Sequence, residues 1–381
     1  MIQIDSKLPH VGVTIFSLMT QLANAHGAIN LSQGFPDFDP VPDLIKRAAY
    51  HMNAGRNQYA PMQGILELRQ KIAAKVKRMY AADYDPETEI TVTAGATEAI
   101  FAAITAVVQP GDEVILLEPA YDAYVPIIQL SQGIPVYVQL TPPDYSIDWD
   151  QVADQITAKT RLIILNSPHN PTGLILNQAD MQSLEALMAD TNILILSDEV
   201  YEHIIFDDCR HESVSRYPGL AARSFVVSSF GKTYHATGWK IGYCLAPVAL
   251  SREIQRIHQY LTFAVNTPVQ LAYADIIDQI DLFENLSDFY QEKRDIFLRF
   301  MQNARFKPIP CSGTYFQLMQ FDEISDLSDL EFARWLTIRH GVASIPISVF
   351  YHNQTDRHVV RFCFAKKNET LEKAAEKLCK I

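Results

Sequence analysis

The middle of the chain alternates between two patterns of apolar residues. Short apolar runs occur at Glu113–Leu117, Leu162–Leu165, Ile193–Leu196, Phe225–Val227 and Ile241–Leu245. Each run has the length of a strand that is buried on both faces of a sheet. Helical patterns lie between several of them, at Thr97–Val108 and Asn177–Asp190. Alternating strands and helices predict an α/β domain with a mostly parallel sheet flanked by helices, which we place at residues 42–278.

The C-terminal part of the chain follows a different pattern. A long helix is predicted at Asn285–Asn303, strands at Gly313–Met319 and His358–Phe364, and a closing helix at Glu369–Leu378. We therefore expect residues 279–381 to form a smaller α+β domain. The loop-rich residues 1–41 are expected to pack against it and to supply a segment on the substrate side.

Composition and charge narrow the possible partners. The 381 residues are 48% hydrophobic and 20% charged, and 32 basic against 44 acidic residues give a net charge of −12. An acidic protein repels nucleic acid and anionic lipid surfaces, so neither is an expected partner. No targeting segment and no apolar run of the ~20 residues that span a bilayer is found. We expect a soluble, cytoplasmic protein.

Familiar short motifs are missing. The five cysteines contain no CxxC pair, which argues against structural zinc and a redox dithiol, and we expect buried, reduced thiols. No two glycines are spaced as GxG, and position 226, where a P-loop would need glycine, is Val226. Neither HExxH nor GxSxG occurs. Nicotinamide dehydrogenases, P-loop NTPases, zinc proteases and elbow-type hydrolases are thereby disfavoured, and no metal site is predicted.

Polar residues follow the predicted strands at four places. These segments are Gly95–Glu98, Asn166–Gly173, Asp198–Tyr201 and Ser228–Lys232. Ligands of open α/β sheets bind at the carboxyl ends of strands, so the four segments are expected to converge on one rim.

The residue types on this rim match the needs of pyridoxal phosphate. A lysine in a desolvated site forms the Schiff base, and an aspartate keeps the pyridine nitrogen protonated. Tyrosine and asparagine donate to the phenolate oxygen, and a helix N-terminus with a hydroxyl group holds the phosphate.

The stretch Ser229–Tyr243 resembles the lysine signature of the class I/II aminotransferases. Upstream, Asn170–Gly173 and Asp198–Tyr201 stand in the order and spacing of that family, and Asn57–Tyr59, Glu118–Tyr121 and Arg361 fit as well. The resemblance covers nearly the whole chain and is to the bacterial methionine aminotransferases and the kynurenine aminotransferase/glutamine transaminase K branch. It implies pyridoxal 5′-phosphate, fold type I, a homodimer with shared active sites and ping-pong transamination.

The resemblance gives three residues catalytic roles. Lys232 is similar to the Schiff-base lysine, which also moves a proton from the substrate Cα. Asp198 resembles the partner of the pyridine nitrogen. Tyr201, together with Asn170, resembles the donor to the phenolate oxygen.

Further residues bind the cofactor by resemblance. The phosphate is assigned to the helix start and the lysine loop, namely to Gly95, Ala96, Thr97, Ser229 and Lys240. Tyr121 would stack on the ring, and Tyr59 would reach the phosphate of the neighbouring subunit. Many family members have arginine where this chain has Lys240, which supplies a point charge without a bidentate fork. The kynurenine branch matches the chain at that position.

The substrate contacts are also carried over by resemblance. Arg361 would clamp the α-carboxylate through two parallel hydrogen bonds, near Asn170 and the backbone of Gly34. Three aromatic residues are assigned to the side-chain pocket, namely Phe16, Phe35 and, from the partner subunit, Phe263. The alternative is that these three are ordinary core residues. An aromatic, uncharged pocket favours methionine, aromatic amino acids or glutamine over aspartate.

Two other functions are alternatives to transamination. A cysteine-S-conjugate β-lyase uses the same cofactor and lysine, and no residue in the sequence separates it from a transaminase. A transcriptional regulator built on this fold carries a basic helix-turn-helix ahead of it, for which we expect no room here. The resemblance therefore implies an aminotransferase that transfers the α-amino group of methionine, and also of aromatic amino acids or glutamine, to a 2-oxo acid.

Overall fold

A computed structural model describes residues 4–381, in which thirteen strands and fifteen α-helices are found. The strands in chain order are β1 (Ile29–Asn30), β2 (Ile90–Thr93), β3 (Glu113–Glu118), β4 (Ile134–Gln139), β5 (Thr160–Asn166), β6 (Leu194–Asp198), β7 (Ser224–Ser229), β8 (Gly242–Leu245), β9 (Lys307–Pro308), β10 (Phe316–Gln320), β11 (Val342–Ala343), β12 (Ile345–Pro346) and β13 (Val359–Cys363). The helices in chain order are α1 (Ile15–His26), α2 (Pro42–Asn53), α3 (Leu66–Tyr80), α4 (Gly95–Val107), α5 (Tyr124–Leu130), α6 (Trp149–Asp154), α7 (Gln178–Met188), α8 (Pro218–Ala221), α9 (Phe230–Thr233), α10 (Val248–Leu261), α11 (Thr267–Ile276), α12 (Asp281–Glu284), α13 (Leu286–Phe300), α14 (Asp329–Trp335) and α15 (Asn368–Leu378).

Seven strands form the large sheet, in the order β2-β8-β7-β6-β5-β3-β4. Strand β8 runs antiparallel to both of its neighbours, and the other pairs in the sheet are parallel. The central strands are buried on both faces, because helices cover the sheet from each side. This architecture confirms the predicted α/β class with a mostly parallel sheet, of fold type I.

The five apolar runs coincide with strands β3, β5, β6, β7 and β8 to within two residues. Strand β4 was not predicted. It lies at the edge of the sheet, begins with the half-exposed Ile134 and contains Pro135, so it lacks the continuous apolar run of a buried strand.

A second sheet has the order β12-β13-β10-β9 and antiparallel pairing. Strand β10 begins three residues later than its predicted start at Gly313, since Thr314 has a positive φ of 67° that interrupts extended backbone. Helices α13 and α15 pack against each other beside this sheet.

The N-terminal segment joins the C-terminal part of the chain. Strand β1 pairs in parallel with β11, and the Ile29 amide donates to the Gly341 carbonyl at 2.9 Å. The Cys363 amide donates to the Leu31 carbonyl at 2.8 Å. These contacts place residues 29–31 beside the second sheet. The division of the chain at residues 42 and 279 stays a prediction.

The cysteines are all free thiols. Cys244, Cys311 and Cys363 are buried as expected, whereas Cys209 is exposed and Cys379 is partly buried. Within residues 4–381, no helix combines the length and apolar character that a membrane crossing requires.

Candidate active site

The carboxyl ends of β5, β6 and β7 and the N-terminus of α4 surround a cavity of about 200 Å³. Ten residues predicted for the cofactor site line it, namely Gly95, Ala96, Thr97, Tyr121, Asn170, Asp198, Tyr201, Ser229, Lys232 and Lys240. A second cavity of about 210 Å³ includes the predicted substrate residues Phe16, Gly34, Phe35 and Arg361. Tyr121, Asn170, Tyr201 and Lys232 line both cavities, which therefore adjoin each other at the lysine.

Asp198 is the last residue of β6 and is buried. Burial raises the pKa of its carboxyl to about 6, although hydrogen bonds from the Tyr124 hydroxyl and the Val200 amide favour the ionised form. The Tyr124 hydroxyl donates to Oδ2 at 2.7 Å. A buried carboxylate with one firm donor is suited to pairing with a cation inside the cavity.

Lys232 lies on the short helix α9, one turn after β7 ends. Its ammonium donates to the Tyr315 hydroxyl at 2.8 Å, and that hydroxyl donates to the Gly34 carbonyl at 2.6 Å. Burial lowers the pKa of Lys232 to about 8, and the positive charges of Arg361 and Lys240 act in the same direction. A larger fraction of Lys232 is therefore in the neutral, nucleophilic amine form at a given pH than of an exposed lysine.

Asn170 and Tyr201 face the same cavity from β5 and β6. The Asn170 amide donates to the Asn166 side-chain oxygen at 2.8 Å, and the Asn166 side chain donates to the Asp198 carbonyl at 2.9 Å. These two bonds tie the loop after β5 to the end of β6. Burial raises the pKa of Tyr201 well above its ordinary value, so its hydroxyl stays a donor.

The N-terminus of α4 forms the opposite wall. No side chain caps the helix, which leaves its first amide groups free to bind an anion. Gly95 has a φ of +74°, and a Cβ there would lie 3.2 Å from the Lys240 ammonium. A Cβ on Gly242 would lie 2.8 Å from the Ala96 amide nitrogen, so both glycines keep this corner open. Gly95, Ala96 and Thr97 at the start of α4, together with Ser229 and Lys240, line this corner of the cavity. We call these five residues the phosphate cup, because the sequence assigns the phosphate to them.

Arg361 is on β13 and is 1% exposed. Its guanidinium lies 3.7 Å from the centre of the Phe316 ring. It donates to two uncharged oxygens, Asn170 Oδ1 at 2.6 Å and the Ser32 carbonyl at 3.3 Å, while Nε has no partner within residues 4–381. Burial lowers its pKa to about 10. A buried guanidinium with an unpartnered N–H donor is suited to binding a carboxylate.

Apolar side chains surround Arg361 in the second cavity. Phe16 lies 5.4 Å from the guanidinium, ring centre to Cζ, and Phe35 and Phe316 also line the cavity. The loop that carries Gly34 and Phe35 is held by Lys366, which donates to the Phe35 carbonyl at 2.6 Å. Phe16 and Phe35 thus line the same cavity as Arg361, and their role in a side-chain pocket stays a prediction.

Tyr59 and Phe263 are not in either cavity of this chain. They are 83% and 46% exposed and pack edge to face with 5.4 Å between ring centres. The sequence assigned both to a site shared with a partner subunit, and their placement on the surface leaves that assignment a prediction.

Sequence reasoning missed several residues of the site. Tyr124 holds Asp198, and Tyr315 joins Lys232 to the Gly34 loop. Thr237 lines the first cavity and Gln33 the second, and Asn166, which begins a predicted rim segment, also lines the first cavity although no role was assigned to it. The sequence offered one indication of Tyr124, namely that it lies only three positions after the predicted site residue Tyr121. Within the part of the chain that the structure describes, no group of three or more His, Cys, Asp or Glu side chains is placed to hold a metal ion.

Comparison with known proteins identifies related chains. The family described as aminotransferase class I and II matches residues 26–378. A methionine aminotransferase of Escherichia coli is 52% identical over 375 residues, which cover 98% of this chain and 97% of that protein. A kynurenine–oxoglutarate transaminase of Dictyostelium discoideum is 36% identical and covers 97% and 94% of the two chains. A solved Escherichia coli structure with a methionine aminotransferase function superposes with a TM-score of 0.98 at 50% identity, over 100% of both chains.

Proposed function

The chain belongs to the class I and II aminotransferases, and on that basis we propose that it uses pyridoxal 5′-phosphate to transfer the α-amino group of methionine to a 2-oxo acid. Aromatic amino acids and glutamine are proposed as further donors. The observation that carries the proposal is the buried Arg361 guanidinium, with an unpartnered Nε, in a cavity that adjoins the cavity of Lys232 and Asp198.

The residues of the first cavity fit pyridoxal phosphate at each of its polar groups. The free amides of α4, with Ser229 and Lys240, suit the phosphate. Asp198 suits the ring nitrogen, because its buried carboxylate gains most by pairing with a cation. Tyr201 and Asn170 suit the phenolate oxygen, and Tyr121 is the proposed stacking partner of the ring.

When bound, pyridoxal phosphate supplies an aldehyde that captures amines and a ring that delocalises the electrons of the substrate Cα. Lys232 would hold the cofactor through its ε-amine. Because burial lowers its pKa to about 8, the same amine would also be able to accept the proton of the substrate Cα near neutral pH. The Tyr315 hydroxyl receives the Lys232 Nζ–H and keeps the amine at the junction of the two cavities.

Arg361 orients the amino acid. Its Nε is the donor left without a partner to bind the α-carboxylate, since Nη1 donates to Asn170 and Nη2 donates to the Ser32 carbonyl. Each Nη carries a second N–H, which would be available for the other carboxylate oxygen. Fixing the carboxylate places the Cα–H bond toward Lys232, which lowers the entropic part of the barrier.

The preference for an uncharged donor follows from the lining of the second cavity. Its aromatic walls, Phe16, Phe35 and Phe316, provide apolar area for a thioether or phenyl side chain. Arg361 and Lys232 are the only cationic side chains in the lining, and both are used at the α-carbon. A second carboxylate, as in aspartate, would therefore be desolvated without a partner.

A homodimer with shared sites is part of the proposal. The loop and helix end beside Tyr59 expose several apolar side chains, and Tyr260 and Leu261 are 87% and 47% exposed next to Phe263. Exposed aromatic residues at this density are typical of an interface. Tyr59 would reach the partner's phosphate cup from there.

A donor panel tests the proposal. The cofactor-loaded protein is supplied with methionine, phenylalanine, glutamine, aspartate or a cysteine S-conjugate and a 2-oxo acid, and the new amino acid, the new oxo acid, pyruvate and ammonia are measured. Methionine is expected to react fastest, with equal amounts of new amino acid and oxo acid. Ammonia and pyruvate from a cysteine S-conjugate, without amino transfer, would instead establish the β-lyase reading.

A further inference from the structure

Three of the five residues Asp198–Glu202 line the cofactor cavity, namely Asp198, Val200 and Tyr201, and the other two do not. Glu199 and Glu202 are buried on the other side of the segment, at 2% and 3% exposure, where neither touches the cavity. Because these residues share one short segment, the hydrogen bonds of Glu199 and Glu202 partly determine the positions of Asp198 and Tyr201.

Glu202 is the centre of a buried polar cluster. Its carboxylate accepts from Lys75 Nζ at 2.8 Å and from the Tyr80 and Ser228 hydroxyls. Lys75 Nζ also donates to the Tyr243 hydroxyl at 3.1 Å. We call Lys75, Tyr80, Glu202, Ser228 and Tyr243 the rear cluster.

The rear cluster joins α3, β7, β8 and the segment after β6, and β6 and β7 end in residues that line the cofactor cavity. Lys75 and Tyr80 belong to α3, and Glu202 follows β6. Ser228 precedes Ser229 of the phosphate cup, and Tyr243 follows Gly242, which touches the start of α4. The Glu202 carboxylate therefore fixes the turn that carries Tyr201 relative to Ser229 and to the start of α4, the two parts of the phosphate cup.

The pair at the centre of the rear cluster is ionised. Burial opposes the charge of Glu202, but Lys75 overcomes it and lowers the pKa of the carboxyl well below its ordinary range. Burial likewise opposes the charge of Lys75, and Glu202 with Tyr243 raises the pKa of the ammonium above its usual value. Such a pair is rigid, because either charge alone would be buried without compensation.

We propose that Glu202, anchored by Lys75, is a positioning residue that sets the place of Tyr201 and Asp198 at the cofactor ring relative to the phosphate cup. The proposal rests on the proposed function, because it concerns the same cofactor. Neither residue touches the cavity, so the effect must pass through Tyr201, Asp198 and Ser229.

The test compares wild type, Lys75→Met, Glu202→Gln and the double variant. Three quantities are measured: the Kd of the apoprotein for pyridoxal 5′-phosphate, the pH midpoint of the visible absorbance change of the bound cofactor, and the unfolding temperature. Lys71→Met is the matched control, since Lys71 is one turn away on α3 and pairs with the exposed Asp278.

The single variants are expected to raise the Kd about tenfold, a change typical of a coupled polar network. The absorbance midpoint is expected to move upward by about 0.5 pH unit or more, because donors to the phenolate oxygen stabilise its deprotonated form. Lys71→Met should leave both values unchanged. The double variant lacks a buried unpaired charge, so it is expected to fold where a single variant fails and still to show both changes.

A lower unfolding temperature with an unchanged Kd and an unchanged absorbance midpoint in every variant would overturn the proposal and leave Glu202 a structural residue. A wild-type protein that binds no pyridoxal phosphate would overturn the proposed function, and this proposal with it.

Discussion

The Arg361 guanidinium donates from Nη1 to the side-chain oxygen of Asn170 at 2.6 Å. This hydrogen bond connects the loop after β5 to β13, between the two cavities. The bond orients the guanidinium plane and leaves Nε free. Asn170 is thereby a residue of both cavities, and its side chain couples the carboxylate site to the cofactor site.

Arg361→Met is expected to abolish turnover without lowering the unfolding temperature of the apoprotein. The substitution removes a buried cation that has no acidic partner, and replacing such a charge by an apolar side chain is often neutral or stabilising. Activity and thermal unfolding are measured on the same sample. A large loss of thermal stability would show that Arg361 is kept for the fold and not for the substrate.

Arg361→Lys is the companion variant that keeps the charge but not the two-pronged donor. We expect kcat/KM to fall for every amino donor alike, by the ~1.5–3 kcal/mol of one charge-assisted hydrogen bond, or about 10–160-fold. Selective loss for one donor would place Arg361 at the side chain and not at the α-carboxylate.

Covalent attachment of pyridoxal phosphate to the apoprotein is expected to speed up with rising pH and to level off above about pH 8. The reason is that burial lowers the pKa of Lys232 to about 8, and only the neutral amine attacks an aldehyde. The rate is followed by absorbance, and the attached lysine is identified by mass after borohydride reduction. A rate that keeps rising toward pH 10 would show an ordinary exposed lysine.

Tyr124→Phe is expected to raise the pKa of Asp198. Burial already holds that pKa at about 6, and the Tyr124 hydroxyl bond favours the carboxylate. Cofactor affinity depends on the ionised carboxylate, so it should be lost as pH falls through about 6 in wild type and at a higher pH in the variant. The midpoint is measured by titrating cofactor binding. An unchanged midpoint would contradict a role for Tyr124 in tuning Asp198.

Phe35→Ala is expected to weaken discrimination in favour of methionine and phenylalanine. The side chain lines the second cavity, and removing a phenyl group from an apolar pocket costs ~1–3 kcal/mol for substrates that contact it. The ratio of kcat/KM for phenylalanine to that for alanine is the measure. An unaltered ratio would place Phe35 outside the side-chain pocket and favour the alternative that it is an ordinary packing residue.

Sequence reasoning found the residues whose chemistry is carried by local motifs. Lys232, Asp198 and Asn170 each follow a strand-like run, and parallel strands bring their carboxyl ends to one edge. The position of Arg361 was carried by the family resemblance alone, because a single arginine in a strand has no local signature.

The residues that sequence reasoning missed act over long separations in the chain. Tyr124 meets Asp198 across 74 positions, and Tyr315 meets Lys232 across 83. The periodicity of apolar residues does not predict which tyrosine hydroxyl contacts which charged group, since that depends on how two separate elements pack. The same holds for Lys75 and Glu202, which are 127 positions apart.

One half-reaction tests the central claim most directly. L-methionine is added to the purified, cofactor-loaded protein without any oxo acid, and the visible spectrum, the oxo acid and ammonia are followed. The account predicts conversion of the cofactor to its amine form with one oxo acid per site and no further turnover, and no conversion in Lys232→Ala. Continuous ammonia release with an unchanged spectrum, or full conversion in Lys232→Ala, would contradict it.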